Sequence, residues 1–282
     1  MSIKIVQDKL NTYTCVSQLD EEHAIREMTQ EIALAALGRT DFFKHVVFQG
    51  GTCLRIFHSL SRFSEDMDFL LRQADRDFSL QSYMNDIVHE MAAYGYHLEI
   101  AEASNSDATV KKAFLKDDSL VRLLQLQYPS RTGPMQKIRI KFEVDTNPPE
   151  GSGYEIKYVD FPFVTSVIIQ DIASLFAGKL HALLCRQYVK GRDWYDFLWY
   201  TSRGAGINLP FLSAALDQQG TWQGRAIRVD LNWCREQLEK TIVAIDWDSV
   251  REDVKKFIRP NEHHSLDLWN RDLFLAQLDK IR

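Results

Sequence analysis

Two aspartates, Asp66 and Asp68, stand two residues apart in the run Asp66-Met67-Asp68-Phe69-Leu70-Leu71. On a strand, side chains alternate, so both carboxylates share one face while Met67, Phe69 and Leu71 take the other. Neighbouring carboxylates repel unless a cation lies between them, and hard oxygen ligands suit Mg2+, with Mn2+ as the alternative. Mg2+ takes one or two protein carboxylates and fills its shell with phosphate and water, as phosphoryl or nucleotidyl transfer requires. Upstream lies Phe48-Gln49-Gly50-Gly51-Thr52, a strand end running into a helix start. Glycines there allow close backbone approach, Thr52 adds a hydroxyl, and the helix N-terminus offers unpaired N–H groups to phosphate. Read alone, Gly-Gly-Thr is a tight capped turn, and D-x-D is a pattern many exposed strands carry. Joined in this order, the two parts point to nucleotide chemistry.

A second metal would need a third carboxylate. Glu143 and Asp145 occupy the polar face of the alternating strand Lys137–Asp145. Glu143 is chosen because it lies mid-strand, whereas Asp145 could begin the turn before Asn147; an ordinary solvated face is the competing reading. Further on, Ile172, Leu175, Phe176, Leu183 and Leu184 form an apolar helical stripe with Lys179 at its edge. A lysine there must snorkel or meet an anion, for which a triphosphate is suitable, and Arg186 falls on nearly the same face. After Gly191, Asp193 and Asp196 stand one turn apart, where a cap and a salt bridge are the plain alternatives.

These residues need elements to hold them. Helices are predicted over Asp20–Leu37, from Gly50 with Leu54, Ile56, Phe57 and Leu60 buried, and over Leu80–Tyr94. Strands are predicted over His45–Phe48, Asp66–Leu71, His97–Ala103, Thr109–Leu115, Leu120–Tyr128 and Lys137–Asp145. Asn147-Pro148-Pro149-Glu150-Gly151-Ser152-Gly153 is the strongest breaker. Beyond residue 162 the pattern reads as helical, through 172–187, 193–201, 209–217, 227–245 and 266–278. The expected organisation is an α/β domain over residues 1–162 and a helical domain over 163–282 that contributes nucleotide-site residues.

Composition narrows the setting. The 282 residues are 45% hydrophobic and 26% charged, ordinary for a soluble globular chain. Cys15, Cys53, Cys185 and Cys234 are scattered, which fits neither a disulfide framework nor a structural zinc site and suits a reducing cytoplasm. The N-terminal segment has no apolar core of a secretory signal, and no stretch offers the roughly 20 apolar residues of a membrane span. The net charge of −5 neither announces nor excludes a nucleic-acid partner.

The segments FQGGTCLRIFHSLSRFSEDMDFLL and GKLHALLCRQYVKGRDWYDFLWY, with KIRIKFEVDTNPP between them, resemble the AbiEii/MenT nucleotidyltransferase toxins. The resemblance implies a polymerase-β-like nucleotidyltransferase core with a mixed sheet, followed by a helical C-terminal domain. It implies that Gly51 and Thr52 match the Gly-Ser nucleotide turn, with Thr in place of Ser. Asp66 and Asp68 match the metal acids, and Arg62 and Ser64 flank them near the phosphates. Glu143 matches a less uniform acidic position, Lys179 the active-site lysine with Arg186 nearby, and Asp193 the late essential aspartate, with Asp196 as its competitor. The implied reaction moves a nucleotide from an NTP to a nucleic-acid end such as tRNA. The implied partner is a genetically linked antitoxin, often one that forms no stable complex.

An RNA acceptor would need a cationic path. Candidates are Lys111, Lys112 and Lys116, the Lys137, Arg139 and Lys141 face, and the Arg186–Arg192 cluster, with Tyr188, Trp194 and Tyr195 to stack on bases. The alternatives are a small-molecule or protein acceptor, and a degenerate, non-enzymatic binding partner. From about Ile207 onward no motif is assignable, and His263-His264 reads as part of a polar loop.

Overall fold

The computed structural model describes residues 2–96, 98–101, 119–129 and 135–282. The strand expected over Thr109–Leu115, and with it Lys111, Lys112 and Lys116, lies outside the described residues. By packing, the chain divides into two compact units. One holds residues 1–58, 64–148 and 156–169; the other holds 59–63, 149–155 and 170–282. The chain therefore passes between units more than once.

The first unit opens with α1 (Ser2–Asn11) and α2 (Gln18–Gly38). A reciprocal cap starts α2: Asp20 N–H donates to Ser17 Oγ at 3.1 Å, and Ser17 N–H donates to the Asp20 carboxylate at 2.9 Å. Ala33 through Leu37 are all buried, so this helix is enclosed rather than half-wet. It packs on α5 (Gln81–Ala92) and on β5 (Met135–Asp145). Between them come α3 (Phe42–His45), β1 (Val46–Gln49), α4 (Gly50–His58) and β2 (Met67–Leu71). In α4 the buried side is Thr52, Cys53 and Leu54; Ile56 and Phe57 are only half-buried, and Leu60 is buried beyond the helix end.

The remaining strands are β3 (Leu98–Ala101), β4 (Ser119–Pro129), β6 (Tyr154–Val159) and β7 (Thr165–Gln170). The described residues form one seven-stranded sheet in the order β3-β4-β5-β2-β1-β7-β6. It is mixed: β2 runs antiparallel to β1 and parallel to β5, and β1 runs parallel to β7. β2 is thus paired on both sides, and its buried face is aromatic. Phe48 and Phe69 lie 5.1 Å apart by ring centroid, and Phe69 stacks on Phe142 at 6.1 Å. β6 and β7 were not expected from the sequence. The apolar stretch 161–184 contains the β-branched run Val164-Thr165-Ser166-Val167-Ile168-Ile169, which forms a strand, and Asp171 then starts a helix.

The second unit is helical: α6 (Ile172–Cys185), α7 (Gly191–Ser202), α8 (Leu209–Gln218), α9 (Leu231–Ala244), α10 (Trp247–Lys255) and α11 (Arg271–Gln277). Asp171 caps α6 by accepting from Ser174 N–H at 2.8 Å. Trp247 stacks on Phe274 at 4.1 Å, and Trp194 meets both rings edge-on. Gly191, which resembles a helix breaker in the sequence, begins α7. A Cβ there would sit 2.3 Å from the Val250 carbonyl, so glycine is what lets α7 approach α10. His263 and His264 fall in a 3-10 helix (Pro260–Leu268), bonded to the carbonyls of Lys255 and Asn261.

Candidate active site

β1 passes into α4 with no loop between them. The turn works because Gly50 adopts φ +79°, a left-handed conformation costly for other residues. The Asp68 carboxylate lies directly against it: a Cβ on Gly50 would stand 2.5 Å from Asp68 Oδ2. Thr52 is fully buried, and its hydroxyl hydrogen-bonds the Asp66 carbonyl and, at 2.9 Å, Ser64 Oγ. Gln30, buried in α2, donates from Nε2 to the carbonyls of Ser64 (3.2 Å) and Glu65 (3.1 Å). The approach to the two aspartates is therefore pinned from two helices. The Thr52 hydroxyl serves that purpose, and Gln30 carries no signal in the sequence, because a lone glutamine has no motif.

The sheet register sets the acids. Gln49, Asp68 and Glu143 are cross-strand neighbours on β1, β2 and β5, so they form a row on one face. Asp66 stands one residue before β2, half-buried like Asp68. Lys141, two residues before Glu143, is ion-paired to it. Burial disfavours the Lys141 ammonium, but Glu143 first, then Asp68 and Asp66, outweigh burial and raise its pKa. Lys141 was considered in the sequence only as part of an RNA path; it is a cation set among three acids. Among the described residues, no group of three or more His, Cys, Asp or Glu side chains is arranged to hold a metal ion. Asp66 and Asp68 remain an all-oxygen pair, the number of carboxylates Mg2+ commonly takes. Asp145 accepts from Asn147 N–H at 3.1 Å, which makes it the opening of the turn.

In the second unit Lys179, on α6, meets two carboxylates of α7: Asp193 Oδ1 and Asp196 Oδ2, each at 2.7 Å. Arg186 closes on the other Asp193 oxygen. Burial alone would push the Asp193 carboxyl up, but Lys179 and Arg186 hold it well below the usual carboxylate range. Arg62 is inside as well, with Nε and Nη2 each 2.6 Å from an Asp196 oxygen. The resemblance implies Arg62 near the phosphates; in the structure its guanidinium is bonded to Asp196. Lys179 thus has two carboxylates of its own chain as partners. Trp194, considered as a base-stacking residue, is core, whereas Tyr188 is exposed with Arg186 and Lys190 near its ring.

A model of one protein family, described as the nucleotidyl transferase AbiEii toxin of type IV toxin–antitoxin systems, matches residues 32–276. The chain belongs to this family. It is a nucleotidyltransferase, and membership implies an NTP substrate and an antitoxin partner. No curated protein matches the chain. JHP933 of Helicobacter pylori is similar in structure, with TM-score 0.50, 16% identity, and 94% of this chain and 90% of that one covered. Another H. pylori structure, of a protein assigned provisionally as a nucleotidyltransferase, gives TM-score 0.48, 16% identity, and 90% and 95% coverage. At such identity the JHP933 likeness speaks for the fold alone. Among the described residues, no helix is long and apolar enough to cross a membrane.

Proposed function

We propose that this AbiEii-family chain transfers a nucleoside monophosphate from an NTP to the 3′ hydroxyl of an RNA, a tRNA end foremost, as the toxin of its pair in the bacterial cytoplasm. The observation that carries the reading is the Asp68 carboxylate lying against the Gly50 turn at the start of α4, with the Asp66 carbonyl bonded to Thr52 of the same helix. That turn presents backbone N–H groups where a phosphate is met, beside the acids that would hold Mg2+. When bound, Mg2+ would supply Lewis-acid polarisation and neutralise phosphate charge. The acceptor oxygen forms a bond to the α-phosphorus, the bond to the bridging oxygen breaks, pyrophosphate leaves, and the hydroxyl proton passes to solvent or a base. Thr52, Ser64 and Gln30 hold Asp66 in place. Glu143 belongs to the same row and, with Lys141 on it, serves as a support of the acids. Lys179 and Arg186 as phosphate contacts, and Asp193 as the late aspartate, rest on the family resemblance.

The RNA acceptor is supported by Tyr188, exposed with two cations near its ring, a surface suited to a stacked base. The test is incubation with each labelled NTP, Mg2+ and total cellular RNA, with products sized. Label confined to tRNA, lost in Asp66→Asn while the fold persists, is the expected outcome. Full activity of Asp66→Asn would remove the metal assignment. Label on protein or a small molecule would replace the acceptor, and so would binding indifferent to salt.

A further inference from the structure

Asp196 is completely buried and Arg62 is 2% exposed, yet the two form an ion pair. Arg62 comes from the five-residue stretch 59–63, the part of the first half of the sequence that belongs to the second unit. All three of its guanidinium nitrogens are engaged. Nε takes Asp196 Oδ1 and Nη2 takes Asp196 Oδ2, both at 2.6 Å, while Nη1 donates to the Phe63 carbonyl at 3.0 Å. The stretch is itself tied down, since Phe63 N–H donates to the Phe257 carbonyl at 2.7 Å. Asp196 Oδ2 also holds Lys179 Nζ.

We propose that Arg62 and Asp196 are positioning residues for Lys179. The inference rests on the reading of Lys179 as the phosphate-facing lysine. A lysine ammonium is a point charge on a flexible stem, so one carboxylate would leave its direction loose. Two carboxylates one turn apart on α7 fix it, provided neither rotates. Asp196 cannot rotate while a planar guanidinium grips both its oxygens, which is also why arginine and not lysine occupies position 62. With no accessible surface and both oxygens engaged, Asp196 is out of reach of a substrate. Asp193 keeps 8% of its side chain exposed and is joined by Arg186, itself 32% exposed, so it stands at the rim of the network.

The experiment compares Arg62→Lys, Asp196→Asn, the double variant Arg62→Met/Asp196→Leu, and Lys179→Met. Melting temperature gives the folded fraction, and the labelled-NTP assay gives kcat and KM for that fraction. Each single positioning variant is expected to lower kcat by about 10- to 100-fold, the scale of a misplaced group, with KM for the NTP nearly unchanged. The double variant should fall no further, because the pair acts as one unit. It also leaves no buried charge unpaired, so it remains informative if Asp196→Asn fails to fold. Arg62→Lys keeps the charge and serves the same end. Wild-type kcat in any folded positioning variant, or a loss that only follows the folded fraction, overturns the proposal. Wild-type kcat in Lys179→Met would instead overturn the parent reading of Lys179.

Discussion

Replacing Gly50 by alanine strains the strand–helix turn in two separable ways. Gly50 holds φ +79°, where an alanine costs roughly 1–2 kcal/mol. The new Cβ would also stand 2.5 Å from Asp68 Oδ2, 3.1 Å from its Cβ and 3.2 Å from its Cγ. The first distance lies well inside an ordinary C···O approach of about 3.3–3.6 Å. Swinging the Asp68 side chain off its rotamer to clear it costs about 0.5–1.5 kcal/mol more. The sum is about 1.5–3.5 kcal/mol, which at the scale of a domain this large lowers Tm by roughly 3–14 °C. Activity should suffer beyond that, since moving the Asp68 carboxylate by about 1 Å costs on the order of 100-fold in rate. The assay is a thermal melt beside labelled-NTP transfer for Gly50→Ala, Asp68→Ala and the double variant. In the double variant the clash with the carboxylate is gone, leaving the backbone strain and the 3.1 Å approach to the residue 68 Cβ, so the two substitutions must couple favourably. Strict additivity, or a destabilised Gly50→Ala with wild-type kcat, would refute the link between the turn and Asp68.

Two further outcomes follow from the same unit. Thr52→Val leaves the Asp66 carbonyl and Ser64 hydroxyl without their partner and should cost about 1–3 kcal/mol in denaturant unfolding, whereas Thr52→Ser should keep most of it; equal stabilities would show that the hydroxyl holds nothing. Burial presses the His23 imidazole from 6.5 down to about 4, with Glu22 opposing and Arg26 assisting. As pH falls the unfolded chain gains this proton near 6.5 and the native one only near 4. Stability is therefore lost across that window and levels off below it. His23→Gln should flatten this part of the Tm–pH curve, and an unchanged slope would remove His23 as its source.

Much of the first unit was legible because its signals are local. The period-two alternation of Lys137–Asp145, the acids of Asp66–Phe69 and the helical run before Gly38 each follow from one element's geometry. Where a face had two covers, the pattern misled. Leu70 is buried along with Met67, Phe69 and Leu71, since β2 is central and enclosed, and the β7 residues were absorbed into an apolar run that continues as a helix. α10 escaped notice because only Trp247, Val250 and Val254 of its nine residues are buried, too sparse a stripe to stand out.

Partners are a different matter from faces. The spacing of Lys179, Asp193 and Asp196 identified a lysine needing an anion, but not that α7 would supply two carboxylates to it. Arg62 and Ser64 sit two residues apart in one motif and read as a single phosphate-flanking feature. The chain leaves one unit for the other between Phe63 and Ser64, and the two side chains part there. Ser64 joins Thr52 and Gln30 under Asp66, while Arg62 reaches an aspartate 134 residues away. Proximity in sequence carries no information about such a pairing; a charged residue with no local reason for being there is the one signal available. An arginine flanked by Ser61 and Phe63 at a unit boundary is of that kind. Its requirement for a fully desolvated carboxylate gives Asp196 a role in the network that its zero exposure would otherwise leave unaccounted for.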